Sequence, residues 1–206
     1  MMYPPDVRSL LALVLIALAG TAAAGPYEDG VAASERGDYA AAMALWRPLA
    51  DEGNVDAQYR IAVLYDLGRG VAQDYAAAVR WYRLAADKGH ANAQHNLATM
   101  YEMGEGVEPD YALAAAIVWF RRAAMQGYAP AQCSLGVMYA LGRGVRRDDI
   151  EAYKWLTLAM ASQSAQHASA IALAKKNRDL VALRITPHQA SIAERHARDF
   201  QPKLER

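Results

Sequence analysis

The five histidines are the first candidates for metal binding, because imidazole is a common metal ligand. His90 and His95 are five residues apart, so on one helix they would point to different faces. His188 and His196 would lie about 12 Å apart along a helix that rises about 1.5 Å per residue. Neither pair can share one ion, and the sequence therefore predicts no metal site and no cofactor.

Other side chains that could carry catalysis are few. Cys133 is the single cysteine, so no internal disulfide can form. Its expected role is that of a small apolar residue, with an intermolecular bridge or a reactive thiol as the alternative. Serine-hydrolase, zinc-protease and phosphate-loop motifs are absent from the sequence. Asp66 and Glu102, with Tyr59 beside them, form the one candidate carboxylate pair for saccharide hydrolysis. The sequence thus predicts a protein that is not an enzyme.

The elements that would position these residues are repeated. The stretch AQYRIAVLYDLGRG at 57–70 returns as AQHNLATMYEMGEG at 93–106 and as AQCSLGVMYALGRG at 131–144. Tyr65, Tyr101 and Tyr139 mark the period, since they are 36 and then 38 residues apart. A period of this length is typical of a helical unit that buries its apolar face only by stacking on its neighbours.

Each unit reads as a helical hairpin. The predicted first helices are Ala57–Leu67, Ala93–Met103 and Ala131–Leu141, and each is followed by Gly-x-Gly-Val, by an Asp suited to cap the next helix, and by a second helix that carries a Trp. Ile61, Ala62 and Tyr65 recur on one face and predict the packing surface. The second unit has two extra residues between Asp110 and Trp119, which its loop or its helix must absorb.

This pattern closely resembles the Sel-one-like repeat family, whose helical hairpins are related to tetratricopeptide repeats. The matching residues of the first full unit are Ala57, Ile61, Ala62, Tyr65, Gly68, Gly70, Val71, Asp74, Ala78, Trp81, Ala86 and Gly89. The resemblance implies an all-α fold, namely a right-handed α/α solenoid of stacked antiparallel helix pairs with a concave inner surface. It also implies an adaptor that binds another protein or a peptide segment.

By the same resemblance, a binding groove would be lined by first-helix positions that lie off the packing face. These positions are Tyr59, Val63 and Asp66, then His95, Thr99 and Glu102, then Cys133, Val137 and Ala140. They differ between the units, which fits either a specific binding surface or unconstrained drift. Such a groove would be mildly acidic at one end and apolar at the other, and it would suit an extended segment with a basic and an apolar residue.

The termini complete the predicted domain organisation. Residues 1–24 have the basic residue, apolar core and small residues of a signal peptide that is cleaved after Ala24, rather than of a retained membrane anchor. Residues 25–53 read as an N-terminal half-repeat that lacks a well-formed first helix. Three repeats follow at 54–89, 90–127 and 128–163, and capping helices occupy 164–206, with a capping box at Thr186.

The charge balance and the predicted signal peptide limit the possible functions. The 22 basic and 22 acidic residues balance, which removes the electrostatic basis for binding nucleic acid. An exported chain without a transmembrane segment in its mature form would be periplasmic or secreted. The sequence therefore predicts a noncatalytic scaffold of the bacterial periplasm or envelope, with a cell-wall or saccharide-associated module as the alternative. It does not indicate the oligomeric state.

Overall fold

The computed structural model describes residues 25–107 and 112–205. The predicted signal peptide and the predicted capping residue Asp110 therefore lie outside the described residues. The α-helices of the described part are α1 Pro26–Glu35, α2 Tyr39–Asp51, α3 Val55–Leu67, α4 Tyr75–Asp87, α5 Ala91–Met103, α6 Ala112–Met125, α7 Ala129–Leu141, α8 Asp149–Met160, α9 Ala168–Ala182 and α10 Pro187–Arg198.

Consecutive helices pack as hairpins, and the hairpins stack into an α/α solenoid. α3 packs on α4, α5 on α6, and α7 on α8, while α4 and α6 each also pack on the first helix of the next unit. The predicted first helices end where the sequence placed their ends and begin two residues earlier. The all-α solenoid predicted from the repeats is confirmed.

The helix starts are capped as the sequence predicted. The Asp74 side chain accepts a hydrogen bond from the Ala77 amide at 2.8 Å, and the Asp148 side chain accepts from Glu151 at 3.0 Å. Thr186 forms a capping box with Gln189 at the start of α10. These contacts satisfy amides that have no partner within their own helix.

The recurring loop glycines combine a backbone requirement with a steric one. Gly106 has a φ of +68°, and a Cβ there would lie 2.5 Å from the carbonyl carbon of Tyr75 in the preceding unit. Gly70 approaches Tyr39 in the same way, and Gly144 approaches Leu113. The second glycine of each loop thus lets the loop press against the start of the previous second helix, which explains why it recurs with the period of the units.

The packing face also follows the sequence, with one shift. Ile61, Ala62, Leu97, Ala98 and Leu135 are fully buried. In the second helices the most buried large residue is the one after each tryptophan, since Tyr82, Phe120 and Leu156 are 0 % exposed. Trp119 and Trp155 are buried as well, at 7 % and 5 % exposed, whereas Trp81 is half-buried.

At the N-terminus the structure differs from the predicted half-repeat. Residues 25–53 hold a regular pair, because α1 is a ten-residue helix that packs along α2. The Trp46 indole donates a hydrogen bond to the Tyr27 carbonyl at 3.1 Å and lies directly over Gly30. A side chain at Gly30 would collide with that ring, so glycine, a residue that weakens an isolated helix, here permits the packing.

The C-terminal region continues the stack and then turns back. α9 packs on α7 and α8, and α10 packs on α8. Residues 199–205, which we call the C-terminal strap, form no helix and run back along the array. The Phe200 ring meets Trp155 of α8 at 5.7 Å, the Lys203 amide donates to the Met125 carbonyl at the end of α6, and Glu205 reaches Gly89 at the end of α4.

Candidate functional site

The predicted binding positions lie on one side of the first helices α3, α5 and α7. We call this surface the first-helix face, and it comprises Tyr59, Val63, Asp66, His95, Thr99, Glu102, Cys133 and Val137. In the first two units all six positions are half-buried. In the third unit α9 packs over α7, and Cys133 is only 3 % exposed, with Val137 against the same cluster. Ala140 is buried there as well.

Aromatic rings are paired between neighbouring units on this face. The fifth residue of one first helix meets the residue that caps the next first helix. Tyr59 of α3 stacks on His90, the cap of α5, with ring centroids 4.5 Å apart. His95 of α5 lies edge-on to Tyr128, the cap of α7, at 5.5 Å. The face thus carries two pairs of amphipathic rings, one at each junction between neighbouring units.

A polar network joins the first unit to the second beneath these rings. The buried Tyr82 hydroxyl donates to Asp66 at 3.0 Å and accepts from the Asn96 amide at 3.0 Å. Burial and, secondly, the Asp66 charge raise the pKa of Tyr82 far above its ordinary value. The tyrosine therefore stays a neutral donor, and Asp66 is held in place on the first-helix face.

The candidate hydrolytic pair is not assembled as a pair. Glu102 forms a salt bridge with Arg143 at 3.0 Å, while Asp66 is bound by Tyr82. Asp66 lines a small cavity of about 210 Å³ with Asn96 and Thr99, and Glu102 does not line it. The geometry gives each carboxylate its own partner.

A larger cavity of about 280 Å³ lies between α5, α7 and the start of α9. Its walls include His95, Cys133 and His167. Burial raises the pKa of the Cys133 thiol to about 11, and burial, with a smaller contribution from His167, lowers the pKa of His95 to about 4. At neutral pH the thiol is protonated and the imidazole is neutral, so they do not form the thiolate–imidazolium pair of a cysteine nucleophile.

One recurring residue had no role assigned from the sequence. The glutamine of each Ala-Gln pair is buried, and its amide donates to the carbonyl eight residues earlier, at the end of the preceding helix: Gln58 to Ala50, Gln94 to Ala86 and Gln132 to Ala124. Its recurrence in all three copies was the available signal. The glutamine thus ties the start of each unit to the end of the preceding one.

The strap contact was not foreseen from the sequence. The Arg122 guanidinium donates to both carboxylate oxygens of Glu205, and the Gln94 amide donates to Glu205 at 2.7 Å. The Arg122 hydrogen bonds are the main reason why the pKa of Glu205 lies below its ordinary value. Gln126 extends the network by donating to Gln94 and to the Gly89 carbonyl.

Within residues 25–107 and 112–205, no group of three or more His, Cys, Asp or Glu side chains could hold a metal ion. No helix in that part of the chain is long and apolar enough to cross a membrane.

Comparison with known proteins decides the family. The family model described as Sel1 repeat matches residues 17–54, 55–90, 91–128 and 129–162. The chain belongs to the Sel1 repeat family. The three full repeats that the sequence analysis placed at 54–89, 90–127 and 128–163 coincide with the last three matches to within one residue, and the first match includes the α1–α2 pair. Sel1 repeats are generally protein–protein interaction modules.

Solved structures of Sel1 repeat proteins share this fold. A Sel1 repeat protein from Oxalobacter formigenes is 31% identical, with a TM-score of 0.67, over 76% of this chain and 59% of its own. A protein called c5321, a protective antigen of uropathogenic Escherichia coli strains with an SLR fold, is 28% identical, with a TM-score of 0.58, over 87% of this chain and 45% of its own. The chain thus spans about half the length of these relatives. No curated protein matches it.

Proposed function

We propose that this Sel1 repeat protein is a noncatalytic scaffold of the bacterial periplasm or envelope, and that it binds an extended segment of another protein along the first-helix face. The observation that carries the proposal is the row of rings formed by Tyr59, His90, His95 and Tyr128. Such rings offer large contact areas at a low cost in side-chain entropy, and aromatic residues are enriched in protein interfaces.

The chemistry of the face supports a partner with a polar backbone and a few apolar side chains. The rings supply apolar area, while Asp66 supplies negative charge. Glu102 is already paired with Arg143, so Asp66 is the carboxylate with no cationic partner among the described side chains. A basic residue of the bound segment would therefore be placed near Asp66.

Site-specific crosslinking tests the proposal. A photoreactive phenylalanine analogue replaces Tyr59, and the matched control carries it at Arg80, an exposed residue of the second helix α4. We expect a discrete crosslinked species in periplasmic extracts from the Tyr59 variant and none from the Arg80 variant. The Tyr59→Ala protein, added in excess, should compete poorly, whereas the wild type should suppress the crosslink. Crosslinking that is equal at both positions would contradict the assignment of the face.

The location is tested separately. The proposal of an exported protein rests on the N-terminal sequence, with cleavage after Ala24. Expression of the full chain, fractionation of the cells and N-terminal sequencing of the product should give a periplasmic protein that begins at Gly25. A cytoplasmic product that retains Met1 would refute the location and would leave the binding proposal in place.

A further inference from the structure

The third ring pair of the first-helix face lacks one of its two rings. Tyr59, His95 and Cys133 are each the fifth residue of a first helix, and His90, Tyr128 and His167 are the residues that precede α5, α7 and α9. Tyr59 meets His90, and His95 meets Tyr128. In the third pair the ring of the first helix is replaced by the small side chain of Cys133.

The cavity lies where the third ring is missing. Cys133 and His167 both line it, together with His95, Pro130, Ala170 and Leu173, and its volume is about 280 Å³. Tyr128 packs edge-on against His167 at 5.1 Å, so the ring row continues to the cavity wall. Ser162 holds the His167 ring through a contact of 3.2 Å between its Oγ and Nδ1. The wall that would face an incoming ring is thus already positioned.

We propose that this cavity receives an aromatic side chain from the bound protein segment, which takes the place that Tyr59 and His95 hold in the other two pairs. The inference rests on the proposed function and adds to it the class of side chain that anchors the partner. A planar ring suits the site better than a branched aliphatic group, because the equivalent places in the same row are occupied by planar rings that contact a ring on the next unit.

Small ring compounds test the cavity without the partner. The probe is p-cresol, the side chain of tyrosine, and its matched control is 4-methylcyclohexanol, which has the same substituents on a ring that is not planar. Binding to the full chain is followed by NMR at the methyl groups of Ala170 and Leu173. We expect p-cresol to bind with a Kd on the order of 1 mM and about tenfold more tightly than 4-methylcyclohexanol.

Two variants connect the binding to this cavity. Cys133→Tyr supplies the missing ring from the protein itself and should abolish p-cresol binding. Leu173→Trp narrows the cavity from α9 and should weaken binding by about tenfold or more, while Leu180→Trp, a change at another exposed leucine of the same helix, should leave it unaltered. If Cys133→Tyr does not fold, Leu173→Trp and Leu180→Trp decide the question.

The outcomes separate this inference from the proposed function. Absence of p-cresol binding, equal binding of the two ring compounds, or equal effects of the two tryptophan substitutions would overturn the inference. A crosslink at Tyr59 would still support the scaffold in any of those cases. Conversely, loss of the Tyr59 crosslink together with p-cresol binding that is selective and sensitive to Leu173→Trp would remove the proposed partner while the ring-binding cavity remains.

Discussion

The buried imidazole of His95 should make the stability of this protein depend on pH well above the range in which carboxylates titrate. Burial among Phe120 and Tyr128, with a smaller contribution from His167, lowers the pKa of His95 to about 4. In the unfolded chain a histidine has a pKa of about 6.5. Since the folded protein binds this proton more weakly, stability is full above about pH 6.5 and is lost as the pH falls towards 4.

The magnitude follows from the two pKa values. Between pH 7.5 and pH 5, a shift from about 6.5 to about 4 reduces the free energy of unfolding by about 2 kcal/mol. A folded-state pKa one unit higher changes that loss by only a few tenths of a kcal/mol. The pKa of His90 is also lowered by burial, with Asp56 opposing the shift, so the wild type should lose somewhat more than His95 alone accounts for.

The assay is urea denaturation at pH 7.5 and pH 5.0 for the wild type and for His95→Phe, which keeps a ring and removes the titrating group. We expect the pH-dependent loss of stability to be about 2 kcal/mol smaller in His95→Phe. The matched control is His188→Gln, a change at an exposed residue of α10, which should retain the wild-type pH dependence.

The comparison of pH dependences can refute the reasoning even if the substitution alters the stability at pH 7.5. If the wild type and His95→Phe lose the same free energy between the two pH values, then His95 is not desolvated in the folded protein. The burial of His95 against Phe120 and Tyr128 described above would then be wrong.

Two further predictions concern packing. Arg122→Ala and Glu205→Ala should each lower the free energy of unfolding by about 1 kcal/mol, because each breaks the same pair of partly exposed charged groups. In urea denaturation, the double variant should lose little more stability than either single variant. Additive losses would contradict the contact. Gly136→Ala should destabilise the folded protein by about 1 kcal/mol, because the new Cβ would lie 2.7 Å from Cγ of Leu156 and this overpacking outweighs the gain in helix propensity. In a Leu156→Ala background, thermal denaturation should show that the same change is stabilising.

The repeats made the local architecture predictable from the sequence. Contacts within a unit and between neighbouring units occur in every copy, so Ala62, Ala98 and Gly136 stand at one position and identify the packing face. The capping residues Asp74 and Asp148 are recognisable because they satisfy amides three residues ahead, a purely local requirement.

Features that occur once left no periodic signal. The ionic contact between Arg122 and Glu205 joins residues 83 positions apart, and nothing in either neighbourhood repeats. Helix α1 lacks the Ala-Gln signature, so the sequence predicted an incomplete unit at 25–53. Its pairing with α2 through Gly30 and Trp46 was therefore not predicted. The same holds for the candidate site. The positions of the first-helix face could be predicted from the repeat, whereas the covering of Cys133 by α9 could not, because α9 lies outside the three repeats.

The C-terminal strap changes how the array can come apart. A solenoid in which each unit touches only its neighbours behaves as a one-dimensional chain, and its ends fray independently of its middle. Here Phe200 is fixed on α8 of the third repeat, Lys203 on α6 of the second, and Glu205 lies against Gly89 at the end of the first, so opening any one of these three repeats disturbs the attachment of the other two. The strap therefore couples the three repeats into a single cooperative block, so local opening of one repeat is resisted by contacts that span all three.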